Sequence, residues 1–209
     1  MATLLHIDSS PMLDGAVTRR LSAHFVDGWR GQHPAGRVLR RDLGARPPPH
    51  PDAVTLAAMN KPASARSPEE QAAAVLSDQL LEELEAADVI VVGAPMYNLS
   101  VTSGLKAWFD LVGRPGRTFR YTPTGVEGLL QDKSVVVLTG RGGFYARNDG
   151  PDHQAALIRD FFGLMGLGDV RFIHAEGQGI DGRTAAAEEA AAVRAIDRLL
   201  ESGALSRVA

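Results

Sequence analysis

The chain has 209 residues, with 22 Lys and Arg against 25 Asp and Glu (formal net charge −3), and 44% hydrophobic against 22% charged residues. This balance excludes a largely disordered chain and supplies no bulk basic field to draw in nucleic acid. Cysteine is absent, which excludes disulfides, Cys-ligated zinc, iron–sulfur clusters and thiol nucleophiles.

The length suits a single domain over residues 1–209. No apolar run approaches the roughly 18 residues of a transmembrane helix. Residues 1–8 have neither the basic region nor the apolar length of a signal peptide. A cytoplasmic protein without a membrane partner is expected.

In chain order, Thr3–Ile7 predicts a buried strand that stops at Asp8-Ser9-Ser10-Pro11. Leu21, Phe25 and Trp29 recur every four residues and predict an amphipathic helix over 18–30. Val38–Leu43 predicts a second strand, with Arg40 and Arg41 marking an edge. A proline-rich arm follows, from Pro47 to Ser67, with room for a short helix at 52–59; connections of that length are often functional. Ser67-Pro68-Glu69-Glu70 carries a hydroxyl N-cap, a first-position proline and a glutamate three residues after the cap. The helix it opens presents Leu76, Leu80 and Leu84 and should end near Ala87.

Residues 88–93 form a continuous apolar run, the pattern of a strand covered on both faces. A loop over 94–100 precedes a helix at 102–112, with Leu105, Phe109 and Val112 facing inward. Residues 113–130 read as irregular, with 119–121 extended. A fourth strand at 134–139, a helix at 151–165, a fifth strand at 169–175 and a helix at 182–201 complete the chain. Strict alternation of strand and helix implies an α/β fold: one five-stranded parallel sheet with helices on both faces. Five strands favour the flavodoxin-like order 2-1-3-4-5, which binds ligands at the carboxyl ends of its strands.

Three loops meet at that edge. After strand 1, Ser10 and Thr18 bring hydroxyls to a helix start where backbone N–H groups favour an anion; ordinary capping by Thr18 is the plainer alternative. Arg19 and Arg20 lie in that first turn, where they oppose the dipole and a phosphate would compensate them. After strand 3, Pro95-Met96-Tyr97-Asn98-Leu99 offers a flat wall beside an aromatic ligand, or a loop tucked against the next helix. After strand 4, Gly140-Arg141-Gly142-Gly143 allows close backbone approach, or makes a simple turn.

Taken together, the Ser-Ser loop, Ala-Pro-Met-Tyr-Asn-Leu (94–99), Phe-Asp-Leu-Val (109–112), Thr-Phe-Arg-Tyr (118–121), Arg-Gly-Gly (141–143) and Ala-Glu-Gly (175–177) resemble the FMN-dependent NAD(P)H azoreductases of the flavodoxin-like quinone reductase group. The resemblance covers nearly the whole chain. It implies that Ser10 and the turn of Ala16, Val17 and Thr18 hold the FMN phosphate. It places Pro95, Met96, Tyr97, Asn98 and Leu99 along the isoalloxazine, and Gly140, Arg141, Gly142 and Gly143 at its pyrimidine side. Hydride would come from NADH or NADPH and pass to a quinone or azo acceptor, with no catalytic side chain and no metal. The protein would supply binding and electrostatics. Phe119, Tyr121 and Phe162 become candidates to cover the open face, core packing being the other reading of Phe162. The resemblance also implies a homodimer, which the arm and the 118–121 loop would help to form.

Two positions depart from the family pattern. A hydroxyl residue is usual where this chain has Ala16, and frequent at Gly140; a lost charge-assisted bond costs about 1–3 kcal/mol. The stretch 144–150 is atypical as well. Gly177-Gln178-Gly179-Ile180-Asp181-Gly182 matches G-x-G-x-x-G, but no further strand follows to close a dinucleotide unit. A flavodoxin-type electron carrier is the competing function, disfavoured by the added 47–67 and 113–130 segments and the near-balanced charge; a binding domain that has lost FMN is a third.

Overall fold

The computed structural model describes residues 1–145 and 151–205. Strands β1 (Thr3–Asp8), β2 (Arg37–Asp42), β3 (Val89–Pro95), β6 (Ser134–Gly140) and β7 (Val170–Ala175) pair in parallel in the order β2-β1-β3-β6-β7. Two short strands, β4 (Phe119–Thr122) and β5 (Gly125–Gly128), form a separate antiparallel hairpin where the sequence suggested only a brief extended piece. Counted within the main sheet, the order is therefore 2-1-3-4-5. Its reversal lies at β1 and β3, so the loops after these strands open a crevice.

The α-helices among the described residues are α1 (Val17–Gln32), α2 (Ala53–Met59), α3 (Pro68–Ala86), α4 (Ser103–Val112), α5 (His153–Leu164) and α6 (Gly182–Glu201). The alternating side chains of β1, β3 and β6 feed two cores. Leu5, Ile7, Ile90, Val92, Val135 and Val137 pack with α3, α4 and α5 on one face. Leu4, Val89, Val91, Val136 and Leu138 pack with Leu21, Phe25 and Trp29 of α1 and Ile196 of α6 on the other. Central strands buried on both faces explain the unbroken apolar runs. The capping box forms as the spacing requires: Ser67 Oγ accepts from Glu70 N, and the Glu70 carboxylate accepts from Ser67 N.

The proline-rich arm is not a bare connection. It holds α2, capped by Asp52, and a short 3₁₀ turn at Ala63–Ala65. It packs on its own chain through buried Ala58 and Met59 and through Arg66, which pairs with Asp78 of α3.

Candidate functional site

The loops after β1, β3 and β6 enclose a cavity of about 310 Å³ lined by Ser10, Ala16, Val17, Thr18, Pro95, Met96, Tyr97, Gly140, Arg141 and Gly142. Ten of the thirteen residues expected to hold the cofactor are among its lining. Asn98, Leu99 and Gly143 are not, while Met12, Gly15 and Gln178 are.

The α1 end of this cavity suits an anion. Ala16 is the N-cap, no side chain caps the helix, and its first turn carries no acidic residue. Thr18 does not act as the cap. Its hydroxyl is buried without a hydrogen-bond partner, an arrangement that costs about 1–3 kcal/mol unless something fills it. Gly140 fits beside this turn because it lacks a side chain: a Cβ there would lie 2.5 Å from Val17 Cγ1.

Arg19 and Arg20 do not wait for a phosphate. Arg20 pairs with Glu189 of α6, and Arg19 makes a two-pronged bond to Asp42 at 2.7 and 2.8 Å. That bond holds the Asp42 carboxyl at about 2 despite partial burial. Arg19 also donates to the carbonyls of Ser10 (2.7 Å) and Met12 (3.1 Å). It thereby clips the Ser10–Met12 loop to the end of β2. Burial would raise the Asp8 carboxyl beneath, but bonds from His6 and Ser22 and the charge of Arg19 hold it low.

The β3 loop is tied across the crevice, with Met96 N donating to Gly140 O at 2.8 Å. Tyr97 and Ser100 exchange backbone hydrogen bonds around Asn98 (φ 50°) and Leu99 (φ 68°). Two consecutive left-handed residues make the tight turn that presents the Tyr97 ring, and leucine is strained in that region by about 1–2 kcal/mol. Leu99→Gly is expected to raise stability by about 0.5–1 kcal/mol with cofactor affinity unchanged, since Leu99 lies off the cavity. Urea unfolding checks this, and a stability loss above 1 kcal/mol would show that Leu99 packing outweighs its strain.

The Arg141 side chain is turned away from the cavity and is fully buried. It lies 3.2 Å from Glu176 and 2.9 Å from Asp152 and donates to Gln154 Oε1 at 3.2 Å; its N–H goes to Ala175 O. The side chain thus serves as an internal brace while Arg141 remains part of the cavity's lining. Gln154 extends this brace to Ala94 O, at the end of β3. Behind the glycine loop, Gln178 N, Gly179 N and Gly177 N bond to the carbonyls of Arg141, Gly142 and Gly143 at 2.9–3.0 Å. The Gly-x-Gly segment that fails as a dinucleotide fingerprint therefore serves as a backing for this loop.

Phe162 cannot cover the open face. It is wholly buried, packed edge-on to Phe109 and tilted against Trp108. Phe119 is buried and meets Tyr121 edge-to-face; Tyr121 is 74% exposed, and neither lines the cavity. The atypical stretch 144–150 lies mostly outside the described residues. Gln178 was missed because its contribution depends on β7 lying beside β6, which a local pattern does not display.

A family model described as flavodoxin-like fold matches residues 2–200. The chain is 49% identical over 177 residues to FMN-dependent NADH:quinone oxidoreductase 3 of Pseudomonas aeruginosa, covering 85% of this chain and 83% of that protein. It is 46% identical over 183 residues to FMN-dependent NADH:quinone oxidoreductase 2 of Pseudomonas fluorescens, covering 87% and 91%. The crystal structure of an azoreductase from Bacillus anthracis superposes with a TM-score of 0.88 at 24% identity, over 97% of this chain and all of that one, which shows a shared fold.

Proposed function

The chain belongs to the flavodoxin-like fold family, and on that footing we propose that it is an FMN-dependent NADH:quinone oxidoreductase that also reduces azo compounds. The observation that carries the cofactor assignment is the buried, unpartnered Thr18 hydroxyl at the uncapped start of α1. An anion there would meet helix N–H groups and the positive end of the dipole. When bound, FMN supplies two-electron transfer from NADH to the acceptor; an azo bond needs two such cycles to give two amines.

The chain's own residues bind and orient. Ser10 and the 16–18 turn hold the phosphate, and Pro95, Met96 and Tyr97 form the wall along the ring. Gly140, beside the phosphate turn, and Gly142 allow close backbone approach to the ring, where donors favour negative charge on its reduced form. Asn98 and Leu99 shape the Tyr97 turn. The whole chain acts as one domain. A cytoplasmic location belongs to the same reading, because the NADH donor is an intracellular metabolite.

One pair of variants tests the phosphate site. Ala16→Ser adds a hydroxyl at the N-cap and should tighten FMN several-fold, because a charge-assisted bond contributes about 1.5–3 kcal/mol at best. Thr18→Val keeps the shape and removes the orphan hydroxyl. It should weaken FMN while raising the stability of the cofactor-free protein by about 1 kcal/mol. Flavin fluorescence titration and urea unfolding measure both. A Thr18→Val affinity within twofold of the parent would move the phosphate elsewhere, and chromatography of extracted cofactor distinguishes FMN from FAD.

A homodimer completes this reading. Tyr121 and Val126 face each other across the hairpin and are both exposed; a second copy would cover them and carry Phe119 and Tyr121 to the neighbouring cavity. Light scattering should give a dimer at micromolar concentration, and a fully active 22.3 kDa monomer would refute shared sites.

A further inference from the structure

On the side of α3 away from the crevice, a cavity of about 510 Å³ lies between α2, α3 and the turn that enters the hairpin. It shares no lining residue with the cofactor cavity. Four cations line it, Lys61, Arg66, Arg114 and Arg117, against Asp78 and Glu82. Two of the four are buried: the side chains of Arg66 and Arg114 keep only 2% and 3% of their exposure.

These two guanidinium groups share one carboxylate. Asp78 Oδ2 accepts from Arg66 Nη1 at 2.6 Å, and Asp78 Oδ1 accepts from Arg114 Nη1. Arg66 is otherwise satisfied through Ala58 O. Arg114 is not: Nη1 also reaches Ser77 Oγ, but Nε is buried without a partner. Two buried guanidinium groups thus lean on one carboxylate, with Glu82 the other carboxylate of the lining, and the unmade bond at Arg114 Nε costs about 1–3 kcal/mol. At the rim, Lys61 and Arg117 rest on Glu70 and Glu85 as half-exposed surface pairs. Such pairs are worth little and exchange readily. The nearby backbone N–H groups of Arg66, Gly116 and Arg117 are spent on Ala63 O, Phe119 O and Arg114 O. Recognition here runs through side-chain charge, and the volume matches small-molecule sites.

We propose that this cavity binds a small organic anion, its carboxylate or phosphate group set against Arg114 and its remainder between Lys61 and Arg117. The site stands apart from the flavin reading. It has a route to the hairpin, because Gly116 N holds Phe119 O at 2.7 Å and Thr118 Oγ1 bonds Arg114 N at 2.9 Å. An anion on Arg114 would thus steady the strand that carries Tyr121.

The test uses FMN-saturated protein, so that the flavin phosphate site is filled. Calorimetric titration with sodium pyrophosphate and with sodium citrate, against sodium chloride at matched ionic strength, should give saturable binding for at least one. The arm that binds tells phosphate from carboxylate. Arg117→Gln and Lys61→Gln should each weaken it several-fold. Asp78→Asn removes the shared counter-ion only, and should lower the melting temperature in chloride, with selective recovery in the binding anion. If that variant fails to fold, the two rim variants decide. Heats equal to the chloride control for both anions, or affinities left within twofold by both rim variants, overturn the proposal.

Discussion

Gly44→Ala should cost the protein both stability and cofactor affinity, although Gly44 touches neither the cofactor cavity nor a central core. A Cβ at Gly44 would lie 1.8 Å from the Ser10 carbonyl oxygen and 2.6 Å from Arg19 Nη2. The first of these atoms is backbone, so no rotamer change relieves the clash. The β2 turn is itself fixed: Leu43 N donates to Asp8 O at 2.8 Å, and Gly44 N and Ala45 N donate to Asp42 Oδ1. The Ser10 loop must therefore move, and with it the bonds that Arg19 makes to Ser10 and Met12.

Overpacking of this kind costs about 1–3 kcal/mol, which lowers Tm by roughly 2–4 °C per kcal/mol in a chain of this size. FMN affinity should fall by about tenfold or more, since a misplaced phosphate loop loses about one charge-assisted bond. Thermal unfolding of the cofactor-free protein and a fluorescence titration with FMN measure the two effects separately. If Tm drops while FMN affinity stays within twofold, the Ser10 loop does not shape the phosphate site.

The contrast between Gly44 and Gly140 shows what the sequence displays. Helix and strand positions were readable because their signals are local. Leu21, Phe25 and Trp29 repeat at helical spacing, Ser67 and Glu70 form a capping box, and the apolar runs at 89–92 and 135–138 need no partner to be recognised. The three loops were legible because strand alternation fixes which ends face the crevice.

What stayed hidden is pairwise and distant in sequence. Arg19 and Arg20 stood out as uncompensated cations, yet their partners are Asp42, 23 residues away, and Glu189, 169 away. Arg141 lines the cavity as the resemblance implies, but the partners of its side chain, Asp152 and Glu176, lie outside its own loop. Phe162 follows the helical spacing of core residues, and the core claimed it. Gly44 carried no signal at all, since its constraint is another loop's carbonyl.

Arg141→Met carries the largest expected loss. The guanidinium joins the loop after β6 to Asp152 at the start of α5, to Glu176 after β7 and, through Gln154, to the end of β3. Asp152 meanwhile caps α5 by accepting from Gln154 N and Ala155 N. Methionine keeps much of the volume but leaves two carboxylates without their shared cation. Breaking a buried pair from one side costs about 3–5 kcal/mol, a large fraction of the roughly 5–15 kcal/mol that holds a protein folded.

The pH dependence identifies the cause. Burial alone would raise the Asp152 carboxyl, but the Ala155 N–H and the Arg141 charge outweigh it and hold the group low. A depressed carboxyl contributes stability above its unfolded pKa and loses that contribution as pH falls through the folded value. Without Arg141 its share of that contribution is gone at neutral pH, the N–H bonds from Gln154 and Ala155 remaining, and protonation relieves the abandoned charge as pH falls. The stability gap between parent and Arg141→Met should therefore be widest near pH 7 and narrow below about pH 4, close to the ordinary carboxylate range. Urea unfolding at the two pH values measures it, and Arg141→Lys, which keeps the charge without the forked geometry, should recover part of the gap. A gap under about 1 kcal/mol at pH 7, or one that stays constant well below about pH 4, would mean that Arg141 fills space and the brace behind the glycine loop lies elsewhere.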